Sequence, residues 1–255
     1  MIERLVIIPT YNEKENIEAI ITAVMELPIL FQVLVIDDGS PDGTADIVKK
    51  MMKGKYKGCI DLIEREGKQG LGTAYIAGFK WAIEHKANYI FEMDADFSHN
   101  PQDLLKLYDA CAVHGADLAI GSRYVTGVNV VNWPMGRVLM SYFASKYVRF
   151  VLGVDIHDTT AGFVCYRRKT LETIELDKIR FKGYAFQIEM KFTAHRMGFK
   201  IKEVPIVFVN RVLGTSKMNS SIFFEALWGV IKLRWDSIFN KSRFVRQTLP
   251  PRITA

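Results

Sequence analysis

The interpretation of this chain begins at Tyr89–Pro101, which reads Tyr-Ile-Phe-Glu-Met-Asp-Ala-Asp-Phe-Ser-His-Asn-Pro. Its first residues are apolar and aromatic, which is typical of a buried strand. Two carboxylates follow two residues apart, at Asp94 and Asp96. Because residues i and i+2 of an extended chain point to the same side, the pattern predicts a strand that ends in two neighbouring carboxylates.

A bound divalent cation gives this carboxylate pair a purpose. At about 4 Å, two like charges repel by about 4 kcal/mol at an effective dielectric of about 20. Oxygen ligands favour Mg²⁺ or Mn²⁺, which also bind phosphate. The alternative is that one Asp caps the next helix, but Asn100, Pro101 and Asp103 already suit the start of that helix. We therefore predict a metal site at Asp94 and Asp96.

Strand and helix patterns alternate along the first half of the chain. Apolar runs predict strands at residues 5–9, 31–36, 59–63 and 118–121, with helical patterns between them. This alternation is typical of an α/β fold in which helices cover a largely parallel sheet. Ligands bind such sheets beyond the carboxyl ends of the strands. The polar residues at these predicted ends are Tyr11, Glu13, Asp37, Asp38, Lys68, Asp94 and Asp96. We expect them to share one site.

Positive charge is concentrated at the C-terminal end of the 255-residue chain. The net charge is +6, and from Lys191 onward there are 12 Lys/Arg residues against 3 Asp/Glu. A basic end that is also rich in aromatic residues favours an anionic partner, such as a membrane surface or a phosphorylated substrate. Nucleic acid is not predicted, since the basic segment is apolar-rich rather than a solvated basic stripe.

Two segments have the pattern of helices that lie in a membrane interface. Ser220–Phe239 combines an apolar stripe with Lys232 and Arg234 on another side, and Val138–Leu152 is a second candidate. The apolar residues of the first are Phe224, Leu227, Trp228, Ile231, Trp235 and Ile238. Each helix alone is explained equally well by packing on the core, but their pairing with a basic end favours the membrane.

The chain has no signal-peptide pattern at its start and no run near the roughly 18 apolar residues that a membrane span requires. We therefore expect a peripheral protein on the cytoplasmic side of a membrane, without a transmembrane helix.

Taken together, the motifs resemble the family 2 glycosyltransferases with the GT-A fold. The resemblance rests on Pro9-Thr10-Tyr11-Asn12-Glu13, on Asp37-Asp38-Gly39-Ser40-Pro41-Asp42-Gly43-Thr44 and on Asp94-Ala95-Asp96. Residues 70–74, 121–124, 158–163, 183–187 and 211–217 are most similar to the dolichyl- and polyprenyl-phosphate mannose synthases. The resemblance implies a Rossmann-like nucleotide-binding catalytic domain at 1–218, followed by an amphipathic helix and basic tail at 219–255.

That resemblance implies inverting, metal-dependent transfer of mannose from GDP-mannose to a polyprenyl or dolichyl phosphate. The residues that would hold the donor are Pro9, Tyr11, Glu13, Ile36, Asp38, Lys68 and Ala95. Asp94 and Asp96 would bind Mg²⁺ or Mn²⁺ on the diphosphate. Ser98 stands where similar synthases often carry Gln. Either the Ser98 hydroxyl or a water molecule would supply a further metal ligand.

The resemblance also assigns residues to the acceptor and to the reaction. Arg123, Arg137 and Ser141 would meet the acceptor phosphate, and Arg211 and Lys217 would close over the donor diphosphate. The residues expected to act in catalysis are Asp96, Arg123, Arg137 and Arg211. Because a phosphate acceptor is already an anion, the transfer needs no general base.

Other functions remain open. Another family 2 enzyme could transfer glucose from UDP-glucose to a polyprenyl phosphate, or a sugar to a glycan hydroxyl with an acidic base. Gln187 lies near the place expected for that base, with Glu189 close by. Processive members carry Gln-x-x-Arg-Trp, and here Arg234 and Trp235 are preceded by Ile231 at the Gln position. A nucleotide-sugar-binding scaffold at the membrane is the non-enzyme alternative.

Overall fold

A computed structural model describes residues 2–183, 185–210 and 220–244, with the backbone alone for 220–226, 241 and 242. Arg211 and Lys217, which the sequence assigns to the donor diphosphate, lie outside the described residues, and so does the side chain of Phe224.

Nine strands form two sheets in the described part of the chain. The strands are β1 (Arg4–Thr10), β2 (Gln32–Asp37), β3 (Ile60–Glu64), β4 (Tyr89–Glu92), β5 (Leu118–Ser122), β6 (Val130–Val131), β7 (Val164–Arg167), β8 (Ile201–Pro205) and β9 (Phe208–Val209). Seven of them make the central sheet, in the order β3-β2-β1-β4-β7-β5-β8, and β6 pairs with β9. In the central sheet only β7 runs antiparallel to its neighbours, among the described strands.

Helices cover both faces of the central sheet. They are α1 (Ile17–Met25), α2 (Thr44–Lys53), α3 (Leu71–Glu84), α4 (Asp103–Ala112), α5 (Met135–Leu152), α6 (Arg168–Thr173), α7 (Ala185–Arg196) and α8 (Ser220–Phe239), with 3₁₀ turns at Leu176–Lys178 and Lys241–Phe244. Alternate side chains of β1 enter opposite cores: Leu5 and Ile7 pack on the side of α3, α5, α7 and α8, whereas Val6 and Ile8 pack on the side of α1, α2 and α4. This division follows from the two-residue period of a strand.

The predicted α/β fold with a largely parallel sheet is confirmed. The alternating residues 201–209 predict one strand, but this is wrong in extent, because β8 ends at Pro205 and the next two-residue strand joins β6 instead. α4 begins at Asp103, after Asn100 accepts a hydrogen bond from the amide of Gln102 at 3.1 Å. α5 begins at Met135, three residues before the predicted start. These shifts move the ends of elements and leave their order unchanged.

The C-terminal helix α8 packs on the core through a face that the apolar stripe did not predict. Val230 and Leu233 are each only 1% exposed and join the core that contains α7. Trp228 and Trp235 face outward instead, with 72% and 62% exposure. Lys232 is exposed as well, so basic and aromatic side chains share the outer surface. No helix in the described ranges is both long and apolar enough to span a bilayer.

Candidate functional site

The first part of the site lies at the carboxyl ends of β1 and β2. The two strands are in register there, with Thr10 opposite Asp37. The hydroxyl of Thr10 donates to Oδ1 of Asp37 at 2.9 Å, and the amide of Ser40 donates to Oδ2 at 2.8 Å. Asp37 is therefore used in holding the turn after β2, whereas the next carboxylate faces a different partner.

That next carboxylate, Asp38, is paired with Arg65, a residue that the sequence did not single out. Nε of Arg65 donates to Oδ1 of Asp38 at 2.7 Å, and both side chains are largely buried. Gly39 permits the contact, because it has φ +67° and a Cβ there would lie 3.0 Å from the amide nitrogen of Gly67. The glycines in loop 65–72 gave no direct indication of this pairing.

Most of the other residues predicted to hold the donor lie on β1 and β2 or in the loop after β1, and Lys68 lies in the loop after β3. Nζ of Lys68 lies 5.6 Å from the ring centroid of Tyr11. The amide of Glu13 donates to Oγ1 of Thr44 at 3.1 Å, which ties the loop after β1 to the start of α2. Pro9 is opposite Ile36 in the sheet, and the Ile36 side chain is fully buried. Ile36 could therefore meet a nucleoside only through its backbone.

The predicted metal ligands lie in the loop after β4. The strand ends at Glu92, so Asp94 and Asp96 are beyond it rather than in extended chain as predicted, yet both line the same cavity. The amide of Ser98 donates to Oδ1 of Asp96 at 3.0 Å across Phe97, whose φ of +57° forms the turn. This local bond, not the period of a strand, orients Asp96.

The side chains available as metal ligands fit a divalent cation that takes several further ligands from outside the protein. No cluster of three or more His, Cys, Asp or Glu side chains suited to a metal occurs among the residues that the structure describes. Among the described residues that line the cavity, only Asp94 and Asp96 supply carboxylates, and Ser98 contributes a hydroxyl beside them. Mg²⁺ is commonly held by one or two carboxylates together with phosphate and water. The side chain of Ala95 is 3% exposed and packs in the core, so only its backbone could reach a ligand.

A cavity of about 170 Å³ joins these carboxylates to α5 and α8. Its polar lining consists of Asp94, Asp96, Ser98, His99, Arg123, Arg137, Ser141, Thr160, Gln187 and Asn210. Its apolar lining comes mainly from Leu71, Met140, Ala144, Tyr147, Val148, Ile188, Ile206, Leu227 and Val230. The cavity therefore brings all six predicted metal and acceptor residues to one place, next to an apolar wall.

Arg123 is held in this cavity by a buried carboxylate. Its Nε and its Nη2 donate to the two oxygens of Asp158 at 2.6 Å each. The same Nη2 also donates to Oγ1 of Thr160 at 2.9 Å. Burial opposes ionisation of Asp158, but the Arg123 guanidinium and its hydrogen bonds outweigh this and lower the pKa of that carboxyl. The pair is ionised at neutral pH, and Arg123 has a fixed direction.

Arg137 and Ser141 reach the same cavity from α5. The Arg137 guanidinium lies 4.1 Å from the Trp133 ring centroid and donates to Oδ1 of Asn210 at 3.0 Å. The hydroxyl of Tyr124 donates to Oγ of Ser141 at 2.8 Å. The Arg123 guanidinium also lies over the Trp133 ring, at 5.5 Å, so that both arginines contact the same indole.

The sequence reasoning missed His99, which forms part of the cavity wall. Its ring is 3% exposed and stacks on Phe163 with centroids 4.8 Å apart. Burial lowers the pKa of His99 to about 4, so the imidazole is neutral. Its position three residues after Asp96 was the available signal, because the intervening turn directs both side chains into the same cavity.

Glu189, the candidate base of the hydroxyl-acceptor alternative, lies elsewhere. Its Oε2 accepts hydrogen bonds from the amides of Arg180 and Phe181 at 2.9 and 3.0 Å. Its Oε1 pairs with Arg243 in the turn after α8. Glu189 is fully buried and is not part of the cavity wall. Glu189, which lies close to the place expected for a base in the sequence, therefore does not face this cavity.

Known proteins share both the sequence and the fold of this chain. The profile of glycosyl transferase family 2 matches residues 5–175. The chain is 47% identical over 231 residues to a polyprenol monophosphomannose synthase of Mycolicibacterium smegmatis, covering 89% of this chain and 86% of that protein. It is 44% identical over 239 residues to an undecaprenyl-phosphate mannosyltransferase of Micrococcus luteus, covering 92% and 96%.

Solved structures with low sequence identity show the same fold. A glucosyl-3-phosphoglycerate synthase of Mycobacterium tuberculosis, in complex with Mn²⁺ and UDP, has a TM-score of 0.68 at 17% identity, over 92% of this chain and 80% of that one. A mannosyltransferase of Pyrobaculum calidifontis, in complex with GDP-Man and Mn²⁺, has a TM-score of 0.55 at 16% identity, over 98% and 77%. The predicted GT-A fold is confirmed. With the family profile matching about two thirds of its length, this chain belongs to glycosyl transferase family 2 and is a glycosyltransferase.

Proposed function

We propose that the protein transfers mannose from GDP-mannose to a polyprenyl phosphate, with inversion at the anomeric carbon and with a bound Mg²⁺ or Mn²⁺. The observation that carries this proposal is the meeting of Arg123, Arg137 and Ser141 with Asp94 and Asp96 in one cavity that has an apolar wall. The names of the two relatives at 44–47% identity, both of which refer to prenyl-phosphate mannosylation, agree with it.

The donor would bind at the carboxyl ends of β1, β2 and β4. Asp94 and Asp96 would hold the cation on the diphosphate, with Ser98 or water completing its ligands. When bound, the cation supplies positive charge to the leaving diphosphate. Tyr11, Glu13 and the Asp38–Arg65 pair would contact the nucleoside, while Arg211 and Lys217 stay predicted contacts of the diphosphate.

The acceptor phosphate would bind between the two arginines. A guanidinium presents paired donors that match phosphate oxygens, and the Asp158 contact fixes the direction of Arg123. An acceptor phosphate oxygen attacks the anomeric carbon, a new carbon–oxygen bond forms, and the bond to GDP breaks so that the electron pair leaves with the diphosphate. The attacking oxygen carries no proton, and the described cavity wall offers no carboxylate besides Asp94 and Asp96.

The prenyl chain would leave the cavity along α5 and α8. The hydroxyl of Tyr147 in α5 donates to the carbonyl of Leu227 in α8 at 3.2 Å, so the helices are neighbours. Their outward surfaces are rich in large apolar side chains, which are Met135, Leu139, Phe143 and Phe150 on α5 and Trp228, Ile231, Trp235, Ile238 and Phe239 on α8. Exposed apolar surface of this extent is typical of a membrane or protein contact.

We propose that this surface binds an anionic membrane from its cytoplasmic side, without crossing it. Lys146, Lys232 and Arg234 are exposed on the same two helices, and basic residues near anionic lipids each contribute about 1 kcal/mol. In this proposal residues 1–218 form the catalytic domain, and residues 219–255 form the amphipathic helix and tail that hold it at the lipid.

The experiment incubates the protein with undecaprenyl phosphate, Mg²⁺ or Mn²⁺, and a panel of labelled GDP-mannose, UDP-glucose and UDP-galactose. We expect a labelled prenyl-phosphate product from GDP-mannose and none without the cation. Product formed from UDP-glucose in place of GDP-mannose would contradict the assigned donor, and donor binding without any transfer would favour the scaffold alternative.

A further inference from the structure

Two buried ionisable side chains, a carboxyl and an amine, lie beneath the cavity and have no part in the function described above. Glu92 at the end of β4 is 0% exposed, and Lys191 in α7 is 1% exposed. Gln187 connects them: its Nε2 donates to Oε2 of Glu92 at 2.8 Å, and its Oε1 accepts from Nζ of Lys191 at 3.0 Å. Both ends of the Gln187 amide are therefore occupied, which fixes its orientation in the cavity wall.

The chain of contacts through Glu92, Gln187 and Lys191, called the Lys191 network below, reaches both the donor side and the acceptor side of the cavity. On the donor side, Glu92 precedes Asp94 by two residues in the same segment. On the acceptor side, Nζ of Lys191 donates to the carbonyl of Ala161 at 2.6 Å. Ala161 belongs to the segment in which Asp158 binds Arg123 through two hydrogen bonds. One ammonium group thus lies between the segment of the metal carboxylates and the segment that holds the acceptor arginine.

The stability of the fold does not by itself explain why Glu92 and Lys191 are buried. Burying an ion costs several kcal/mol, and replacing a buried ion pair by apolar side chains is often neutral or stabilising. Burial lowers the pKa of Lys191 to about 8, although Glu92 and Asp158 favour its charged form. Oε1 of Glu92 is buried and has no hydrogen-bond partner in the part of the chain that the structure describes. A purely structural role would be filled at lower cost by an apolar side chain.

We propose that Lys191, acting through Gln187 and the carbonyl of Ala161, is a positioning residue that sets the acceptor arginine relative to the metal carboxylates. The inference rests on the proposed function, since it assigns the acceptor phosphate to Arg123. Transfer requires the attacking oxygen to lie in line with the leaving diphosphate, and a misplacement of about 1 Å can cost about a hundredfold in rate. Loss of the network therefore weakens the acceptor site while the nucleoside contacts at β1 and β2 stay intact.

The test compares Lys191→Met with the charge-balanced double variant Glu92→Gln/Lys191→Met. Dissociation constants and KM values are measured for undecaprenyl phosphate in detergent micelles and for GDP-mannose. The single variant leaves the buried Glu92 carboxyl without the Lys191 amine across Gln187, and it is expected to be less stable. The double variant also replaces the Glu92 carboxyl by an amide that cannot ionise, so its melting temperature should return towards the wild-type value, but the contact to Ala161 remains absent.

For each variant, the Kd and KM of undecaprenyl phosphate are divided by the corresponding values for GDP-mannose. We expect this acceptor-to-donor ratio to rise about tenfold in both variants, with the GDP-mannose constants within about twofold of wild type. A ratio that returns to the wild-type value in the double variant would show that Lys191 only balances charge, and would overturn the proposal. Failure of the wild-type protein to transfer mannose would contradict the proposed function alone, since the two dissociation constants are measured without turnover.

Two further variants test the bridge without a change in charge and provide a matched control. Gln187→Met breaks the bridge without changing charge, and it decides the question in the same way if the double variant does not fold. Thr170→Val is the matched control, because Thr170 is also fully buried and donates to the carbonyl of Asp117 at 3.0 Å. That contact lies at the opposite end of β5 from Arg123, so the ratio in this variant should stay at the wild-type value.

Discussion

At the scale of single residues, the site depends on carboxylates that differ in their partners. Asp37 holds a turn, Asp38 pairs with Arg65, and Asp158 pairs with Arg123. Asp96 accepts a hydrogen bond from the amide of Ser98 with one oxygen and lines the cavity together with Asp94. Neighbouring residues of one type thus take different roles, because each role is set by the nearest donors.

Replacing Asp96 by Asn should remove transfer while the fold is kept. Asn retains an oxygen that can accept the hydrogen bond from Ser98, but it lacks the charge that a divalent cation requires. We expect turnover to fall by at least about a hundredfold, with a melting temperature near that of wild type. Asp103→Asn is the control, since Asp103 is the next buried carboxylate along the chain and pairs with Lys106 outside the cavity. Wild-type turnover in Asp96→Asn would exclude it as a metal ligand.

Replacing Glu189 by Gln should lower stability and leave the chemistry largely intact. Glu189 is fully buried and pairs with Arg243, and breaking one side of a buried ion pair costs about 3–5 kcal/mol. Denaturant unfolding monitored alongside turnover at low temperature separates the two effects. A loss of turnover by several orders of magnitude, with folding and donor binding retained, would restore the hydroxyl-acceptor alternative.

At the scale of elements, α5 and α8 were the hardest to interpret from sequence. The helical pattern of both was predictable, because apolar residues recur at a period near 3.6. Which face packs on the core was not, since Val230 and Leu233 are no more apolar than the exposed Ile231 and Ile238. Burial is decided by the neighbouring α7 and by Phe244, and no local pattern carries that information.

The double variant Trp228→Ser/Trp235→Ser should release the protein from membranes. Both indoles are exposed, so their loss removes apolar insertion without opening a cavity in the core. Sedimentation with anionic liposomes should weaken in the variant, and binding of the wild type should weaken but not vanish as salt is raised. Turnover of long prenyl phosphates should fall, while GDP-mannose binding stays unchanged.

The control for this surface is Val230→Ala, which alters the buried face of the same helix. It should lower the melting temperature by creating a cavity and leave liposome binding of the folded protein unchanged. Liposome binding of Trp228→Ser/Trp235→Ser at the wild-type level would assign membrane contact to another surface.

At the scale of the whole molecule, the sequence predicts the architecture better than the site geometry. Alternating strands and helices indicate a sheet with ligands at its carboxyl ends, and that much needs only local periodicity. The antiparallel β7, inserted between β4 and β5, depends on long-range pairing that no local pattern encodes. The same insertion brings the segment of Asp158 and Ala161 under the cavity, which is why the pairing of Arg123 with Asp158 and the contacts of Lys191 were not predicted.

The proposed transfer depends on an acceptor that arrives as an anion, in a cavity where the described wall offers two arginines and no separate base. The decisive measurement is the initial rate of mannose transfer from labelled GDP-mannose to undecaprenyl phosphate against undecaprenol, in the same micelles and with the same cation. We expect product with the phosphate and a rate for the alcohol that is lower by at least about a thousandfold. Comparable rates for the two acceptors would contradict it.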